Sequence, residues 1–176
     1  MSFMSYAPPV ICIAAFGRKY GKTTIIQGIT KILTSKGVRV SIIKHSVHHI
    51  RGDSGKDTDR FMASGALASA VLTNEGEGVL YLSKSSLNNL ISIISHLGVD
   101  LILCEGFKSS PYPKLVIVRS TEELQRIEAL EGVIGIIFDA PTQGEIGLGL
   151  KVPVLNKDPS TIASFILSYI RGCGAP

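Results

Sequence analysis

The sequence predicts an α/β fold: a mostly parallel sheet flanked by helices, with a β-hairpin appended. Three observations predict it. Short apolar runs at residues 10–13, 101–104 and 133–138 have no polar face, which is the pattern of strands covered on both sides. Between them lie segments whose apolar residues recur at spacings of three and four, the mark of amphipathic helices. The first strand-to-helix passage, residues 14–24 (Ala-Ala-Phe-Gly-Arg-Lys-Tyr-Gly-Lys-Thr-Thr), ends in Gly-Lys-Thr, and in that context the ending belongs to a phosphate-binding loop.

Such a loop turns its backbone N–H groups and a helix N-terminus toward an anion. Lys22 would reach the outer phosphates and the Thr23 hydroxyl would ligate Mg²⁺, with Gly17, Arg18, Lys19, Tyr20, Gly21 and Thr24 around the nucleotide. The predicted architecture is therefore P-loop NTPase-like. The spacing departs from the standard one, because Phe16 stands where the first glycine is expected and Gly17 comes one place late. Phe does not readily take a positive φ, so either Gly17 takes over the turn or the loop has another shape.

At 176 residues the chain has the size of one domain with a substantial core. Residues 1–9 read as a loose start, 10–171 as a single nucleotide-binding domain and 172–176 as a tail. Apolar residues make up 45% and charged ones 18%, so burial alone can drive folding. The net charge of +4 is modestly basic, the bases form no long tract, and aromatics are few and scattered. That argues against a nucleic acid polymer and for phosphate-bearing small molecules. No apolar run is long enough to cross a bilayer, so no membrane partner is expected, and residues 1–9 lack the charged region of a signal peptide. Cys12, Cys104 and Cys173 have the spacing of neither a disulfide framework nor a zinc site. A cytoplasmic location is the expectation.

In chain order, Ile25, Ile29 and Ile32/Leu33 form a helical stripe that Gly37 stops. Residues 38–44 read as a second parallel strand, and 47–59 as a polar loop long enough to be functional. Residues 58–65 read as a short helix with Phe61 and Met62 facing inward. Residues 68–73 and 78–82 make a hairpin at a sheet edge. Leu87, Leu90, Ile91, Ile94 and Leu97 mark a helix over 86–96. The strand 101–104 ends on Glu105, a loop (106–113) leads to the strand 115–118, and Thr121 reads as the N-cap of an acidic-started helix running to about 130. The strand 133–138 ends on Asp139, a glycine-rich loop follows at 144–150, and a strand (152–155) and a helix (159–170) close the chain. No internal repeat is visible.

In parallel sheets ligands bind beyond the carboxyl ends of the strands, and the informative residues gather there. Glu105 can hold Mg²⁺ or activate water beside a phosphate loop. Asp53 and Asp57 could complete the metal shell or act as a switch, Asp57 being the better candidate, or Asp57 or Thr58 simply caps the next helix. His45, His48 and His49 match metal-ligand spacing only loosely, with nothing to complete a tetrahedral set; Lys44 and His45 read better as contacts to a phosphorylated second ligand. Lys108, Lys114 and Arg119 are either surface cations or an anion-binding rim. Asn156-Lys157-Asp158 is one residue short of the guanine-reading Asn-Lys-x-Asp, and Asp158 before Pro159 is also a natural N-cap. Asp139 is an equal candidate for accepting hydrogen bonds from guanine.

Taken together these stretches resemble the molybdopterin-guanine dinucleotide biosynthesis protein B family (MobB). The resemblance runs through Gly21-Lys22-Thr23-Thr24, Ile43-Lys44-His45 with His48-His49, Gly55-Lys56-Asp57-Thr58 with Arg60 and Ser64-Gly65-Ala66, then residues 101–108 (Leu-Ile-Leu-Cys-Glu-Gly-Phe-Lys) and Pro113-Lys114. It covers residues 10–118 well and the remainder weakly. It implies a homodimeric GTP-binding accessory factor that assists the enzyme joining GMP to molybdopterin, for a molybdenum or tungsten cofactor, with weak GTP hydrolysis at most. On that resemblance Gly21, Lys22, Thr23 and Thr24 hold phosphate and Mg²⁺, and Glu105 serves the metal or the attacking water. Lys44, His45, Asp57 and Lys108, with Lys56 beside them, line the side of the second ligand. Tyr20 stands where the family has a small residue, and would either stack on the nucleotide or occlude it. Two other functions fit the residues: a small-molecule kinase with Asp57 as base, or a nucleotide-independent scaffold with a degenerate loop.

Overall fold

The computed structural model describes residues 7–47, 57–139 and 150–172. The sequence expectations at His48, His49, Asp53, Lys56 and Cys173, and for the glycine-rich stretch 144–149, lie outside the described residues. In chain order the elements are β1 (Val10–Ala15), α1 (Lys22–Ser35), β2 (Val40–Lys44), α2 (Asp57–Ala63), β3 (Ala68–Leu72), β4 (Gly78–Leu82), α3 (Leu87–Ser95), β5 (Leu101–Glu105), β6 (Lys114–Val118), α4 (Thr121–Ile127), β7 (Val133–Phe138), β8 (Val154–Asn156) and α5 (Pro159–Gly172). They divide between two compact units. The larger takes the described residues up to His45 and from Ile94 onward, the smaller those from Ser46 to Ile93.

The larger unit is built on a six-stranded sheet of order β2-β5-β1-β6-β7-β8, and every pair in it is parallel. Its central strands are apolar throughout because both faces are covered. On one face Ile11, Ile13, Leu101, Leu103, Leu115, Ile117 and Ile137 pack with Ile25, Ile29 and Leu33 of α1 and Ile162 and Ile166 of α5. On the other, Ala14, Val116, Val118 and Ile136 pack with Ile127 of α4. Each such buried Ile or Leu contributes about 1.5–3 kcal/mol relative to leaving it in water. The parallel mostly-β-then-α order and the phosphate-loop position make this a P-loop NTPase-like sheet, as the sequence predicts.

Several local expectations are corrected. β8 begins at Val154, not at residue 152, since Pro153 has no N–H to give a ladder; its carbonyl instead accepts from Ile136 N at 2.9 Å. β2 begins at Val40 rather than residue 38, because Arg39 is held by Asp100 through its main-chain N–H (2.7 Å), Nε (3.0 Å) and Nη2 (2.7 Å). The N-cap of α4 is Ser120, extended at φ −144 and accepting from Glu123 N, so Thr121 is the first helical residue and not the cap. Leu97 lies beyond the end of α3 and is exposed. Lys114 is no surface or rim cation. It is fully buried, and its ammonium donates to Ser110 O at 2.8 Å and to Glu131 O. Burial lowers its pKa, opposed by the charges of Cys12 and Glu131.

Cys12 and Cys104 are buried free thiols on directly paired residues of β1 and β5. A hydrogen bond from Cys104 lowers the Cys12 thiol pKa despite burial, with Ser110 and Lys114 helping. Cys104 is pushed the opposite way.

The smaller unit holds α2 and an antiparallel two-stranded sheet of β3 and β4, paired from Ala68↔Leu82 to Leu72↔Gly78. The hairpin thus forms its own sheet instead of joining the edge of the large one. Phe61, expected to face inward, is 58% exposed. A seven-residue helix beside a two-stranded hairpin has too little partner surface to bury it.

Packing of α1 on α5 depends on Gly28, where a Cβ would sit 2.7 Å and 2.8 Å from ring carbons of Pro159. Ala is worth about 1 kcal/mol over Gly in a helix, but overpacking of this kind costs about 1–3 kcal/mol. Gly28→Ala is therefore expected to destabilise the protein by about 1 kcal/mol in urea unfolding, where a stabilised variant would contradict the packing argument.

Candidate functional site

The site is assembled where β1, β2 and β5 end. In the parallel register Lys44 is paired with Glu105 across β2 and β5, and Ile13 with Glu105 across β1 and β5. The loop leaving β1 therefore starts level with Glu105. The Glu105 carboxylate, only 12% exposed, is met by the Thr23 hydroxyl, 3.1 Å from each of its oxygens. The Lys44 ammonium lies at 3.1 Å from the same two oxygens. A carboxylate so nearly buried needs such partners.

The loop solves the missing-glycine problem in its own way. Neither Phe16 nor Gly17 takes a positive φ; the left-handed positions are Lys19 (φ 61) and Gly21 (φ 73). Gly21 is also the N-cap of α1 and makes no side-chain cap bond there, which leaves the first N–H groups of the helix without a side-chain cap. The carbonyl of Lys19 accepts from Arg119 Nη2 at 3.0 Å. Lys22 donates to Gly17 O at 3.2 Å and so closes the loop on itself. Gly17 is needed for room, since a Cβ there would lie 2.7 Å from Cε2 of Tyr20.

Tyr20 is anchored away from free rotation. Its hydroxyl donates to Glu123, and the Arg119 guanidinium lies 4.3 Å from its ring centre, a cation–π contact. The bond to the Glu123 carboxylate raises the phenol pKa. Phe16 is likewise flanked by cations, Lys108 Nζ at 5.2 Å and Arg126 Cζ at 4.5 Å from its ring centre.

Asp139 ends up as an organiser of cations. Its Oδ2 takes Arg119 Nε at 2.8 Å and Lys157 Nζ at 2.7 Å. Lys157 in turn reaches over the loop, its Nζ 3.2 Å from the place of a Cβ on Gly21. Asp158 caps α5, accepting from Thr161 N at 2.8 Å and its hydroxyl at 3.0 Å. The His45 ring lies edge-on against Phe107 at 5.1 Å, and its main-chain N–H donates to the Glu105 carbonyl at 3.0 Å. Phe107 itself has φ 52.

The structure thus brings together Gly17, Lys19, Tyr20, Gly21, Lys22, Thr23, Lys44 and Glu105, with Asp139 tied to the loop through Arg119 and Lys157. Arg18 and Thr24 are exposed on the loop and first turn. Asp57 belongs to the smaller unit, as the first residue of α2, with Arg60 Nη1 at 3.5 Å. Sequence reasoning had Arg119 only as a surface or rim cation and Lys157 only as part of the Asn156-Lys157-Asp158 stretch, and it gave Glu123 no part in the loop. The Ser120-x-x-Glu123 capping-box pattern was the available signal for Glu123. Nothing local showed that Arg119 and Lys157 would both bind Asp139 and lie against the loop. Among the described residues no group of three or more His, Cys, Asp or Glu is placed to hold a metal ion, so a metal at Thr23 and Glu105 would need further oxygen donors from a ligand or water.

A parallel sheet with a lysine- and threonine-bearing loop at its carboxyl end, facing a strand-end carboxylate, defines a protein of the P-loop α/β class. Residues 10–139 match the family model described as "Molybdopterin guanine dinucleotide synthesis protein B", and the chain belongs to this MobB family. It is 36% identical over 170 residues to the probable molybdopterin-guanine dinucleotide biosynthesis adapter protein of Bacillus subtilis, covering 93% of this chain and 94% of that one. The adapter protein of Haemophilus influenzae is 31% identical, covering 96% and 93%. The crystal structure of Bacillus subtilis MobB is similar at a TM-score of 0.70 and 30% identity, covering 91% of this chain and 96% of that one.

Burial pushes the Asp139 carboxyl up, but Lys157 and Arg119 outweigh it and hold its pKa below the ordinary value. A depressed folded-state pKa gives stability that is present above the unfolded value and lost as the pH falls through the folded one. Asp139→Asn should therefore cost up to about 1 kcal/mol at pH 7, and the deficit should shrink as the pH drops below about 4. Urea unfolding of both proteins across that range checks it; a pH-independent deficit would contradict the ion-pair account.

Proposed function

We propose that this protein is a GTP-binding adapter in molybdopterin guanine dinucleotide biosynthesis, acting with the enzyme that attaches GMP to a molybdopterin-type cofactor. The family membership supports the pathway, and the names of the relatives support the adapter role. The observation that carries the nucleotide reading is the meeting of Thr23 and Glu105 at the start of α1, 3.1 Å apart.

A hydroxyl and a carboxylate are hard oxygen donors, the kind Mg²⁺ takes while keeping waters and phosphate oxygens, so the residues fit the ion. Bound there, Mg²⁺ would neutralise charge on the outer phosphates. The chain does the rest. The loop amides and the uncapped start of α1 face the anion, and Lys22 exchanges the Gly17 carbonyl for phosphate oxygen. Lys157 adds positive charge over Gly21, and Glu105 orients a water. Tyr20, pinned by Glu123 and Arg119, makes a ring wall for the loop. Hydrolysis without a partner should be slow, as the resemblance implies. Lys44, His45 and Lys108 remain the proposed contacts to a second anionic ligand, and Asp139 or Asp158 to guanine.

A homodimer is part of the reading. In the smaller unit Leu72 (78%) and Leu80 (49%) share one face of the hairpin and are exposed, apolar surface of the kind that marks protein contacts. No helix of the described residues is long and apolar enough to cross a membrane.

Calorimetric titration is the test. Lys22→Ala should weaken GTP binding in Mg²⁺ by roughly 10- to 100-fold, the value of about 1.5–3 kcal/mol for a hydrogen bond to a charged group. Equal binding by both proteins, or no heat with wild type, would end the nucleotide reading. Turnover of GTP by the protein alone should stay below about 1 s⁻¹, the low end of ordinary enzymes.

A further inference from the structure

Lys44 has a place in the site that a phosphate contact does not explain. Its ammonium lies not toward the loop but on Glu105, 3.1 Å from both carboxylate oxygens. Those are the oxygens that the Thr23 hydroxyl also meets. Parallel pairing of Lys44 with Glu105 fixes this arrangement at the backbone. The head of the lysine can still leave, because its side chain is 58% exposed while that of Glu105 is 12% exposed. We infer, resting on the nucleotide reading above, that Lys44 is a built-in stand-in for the divalent cation: it neutralises Glu105 while no nucleotide is bound and yields that carboxylate to the metal when nucleotide arrives.

The charge balance gives the reason. With Lys44 in place the Glu105 charge is cancelled, and Lys22 stands nearby as a further cation. Among the described residues, a free divalent ion approaching this corner meets one carboxylate, already neutralised, and one hydroxyl. A triphosphate supplies the missing negative charge and the missing oxygen donors together. Without Lys44, the Glu105 carboxylate would face incoming phosphate uncompensated, a like-charge contact in a poorly solvated place. Lys44 and the metal are thus interchangeable at Glu105. The protein admits phosphate first and keeps bare metal out. After exchange, the freed ammonium lies within a side-chain length of the newly bound anion.

Interchangeability makes a prediction that a simple phosphate-contacting lysine does not. In titrations of GTP into wild type, Lys44→Met, Glu105→Gln and the double variant, Lys44→Met should lose at least about tenfold in affinity in EDTA and less than about threefold in Mg²⁺. In the Glu105→Gln background the loss in EDTA should vanish. Equal losses in both solutions, or none in EDTA, overturn the inference. A second arm needs no nucleotide. Mn²⁺ alone, followed by electron paramagnetic resonance, should bind Lys44→Met at least about tenfold more tightly than wild type, and the double variant should lose that gain. Equal Mn²⁺ binding by wild type and Lys44→Met overturns the inference whatever GTP does. If GTP binds none of the proteins while Mn²⁺ behaves as expected, the nucleotide reading falls and the role of Lys44 toward the cation stands.

Discussion

The register of three parallel strands is the constraint from which the site follows. Because β5 lies between β2 and β1, with Lys44 and Ile13 both level with Glu105, one carboxylate is placed between a lysine and the outgoing loop. A charged group left 12% exposed without partners would cost several kcal/mol. The fold therefore has to bring donors to it, and Lys44 and Thr23 are those donors. Sheet geometry and site chemistry are the same fact seen at two scales: strands about 4.8 Å apart with side chains on one face necessarily crowd their end residues.

The loop shows how a departure from a motif is absorbed. The expected glycine is Phe16, and the chain compensates by placing the left-handed turns at Lys19 and Gly21. A non-glycine residue in that region costs roughly 1–2 kcal/mol. The bond from Arg119 to the Lys19 carbonyl helps offset it, and Arg119 is itself held by Asp139. The bulky Tyr20 is accommodated by removing a side chain at Gly17 and tying its hydroxyl to Glu123. The loop is supported from residues about 100 positions later in the chain, so its shape is a tertiary property even though its chemistry is local.

Where the sequence misled, a local signal competed with a packing fact. Lys114 reads as a surface cation because lysine is seldom fully buried. It sits inside because two main-chain carbonyls, of Ser110 and Glu131, converge on its ammonium. Thr121 and Ser120 are both good caps, and only the extended backbone at Ser120 decides between them. Phe61 and Leu97 carry the apolar character of core residues, yet a short helix and a helix end leave them exposed. The hairpin is legible from the Asn74-Glu75-Gly76-Glu77 turn between two short runs, but its independence from the large sheet is a question of which strand edges meet.

Sequence alone determined the parallel sheet, the chain order of strands and helices, and the Gly21-Lys22-Thr23 loop motif followed by a strand-end Glu105. Each of these depends on periodicity, on turn residues or on a short motif, all of which are written within a few residues of one another. Tertiary structure alone decided that Lys44 would sit on Glu105, that Arg119, Glu123 and Lys157 would brace the loop, and that Asp139 would gather two cations. These contacts join residues far apart in the chain, and only strand register and the crossing of α4 and α5 over the sheet bring their side chains within hydrogen-bonding reach.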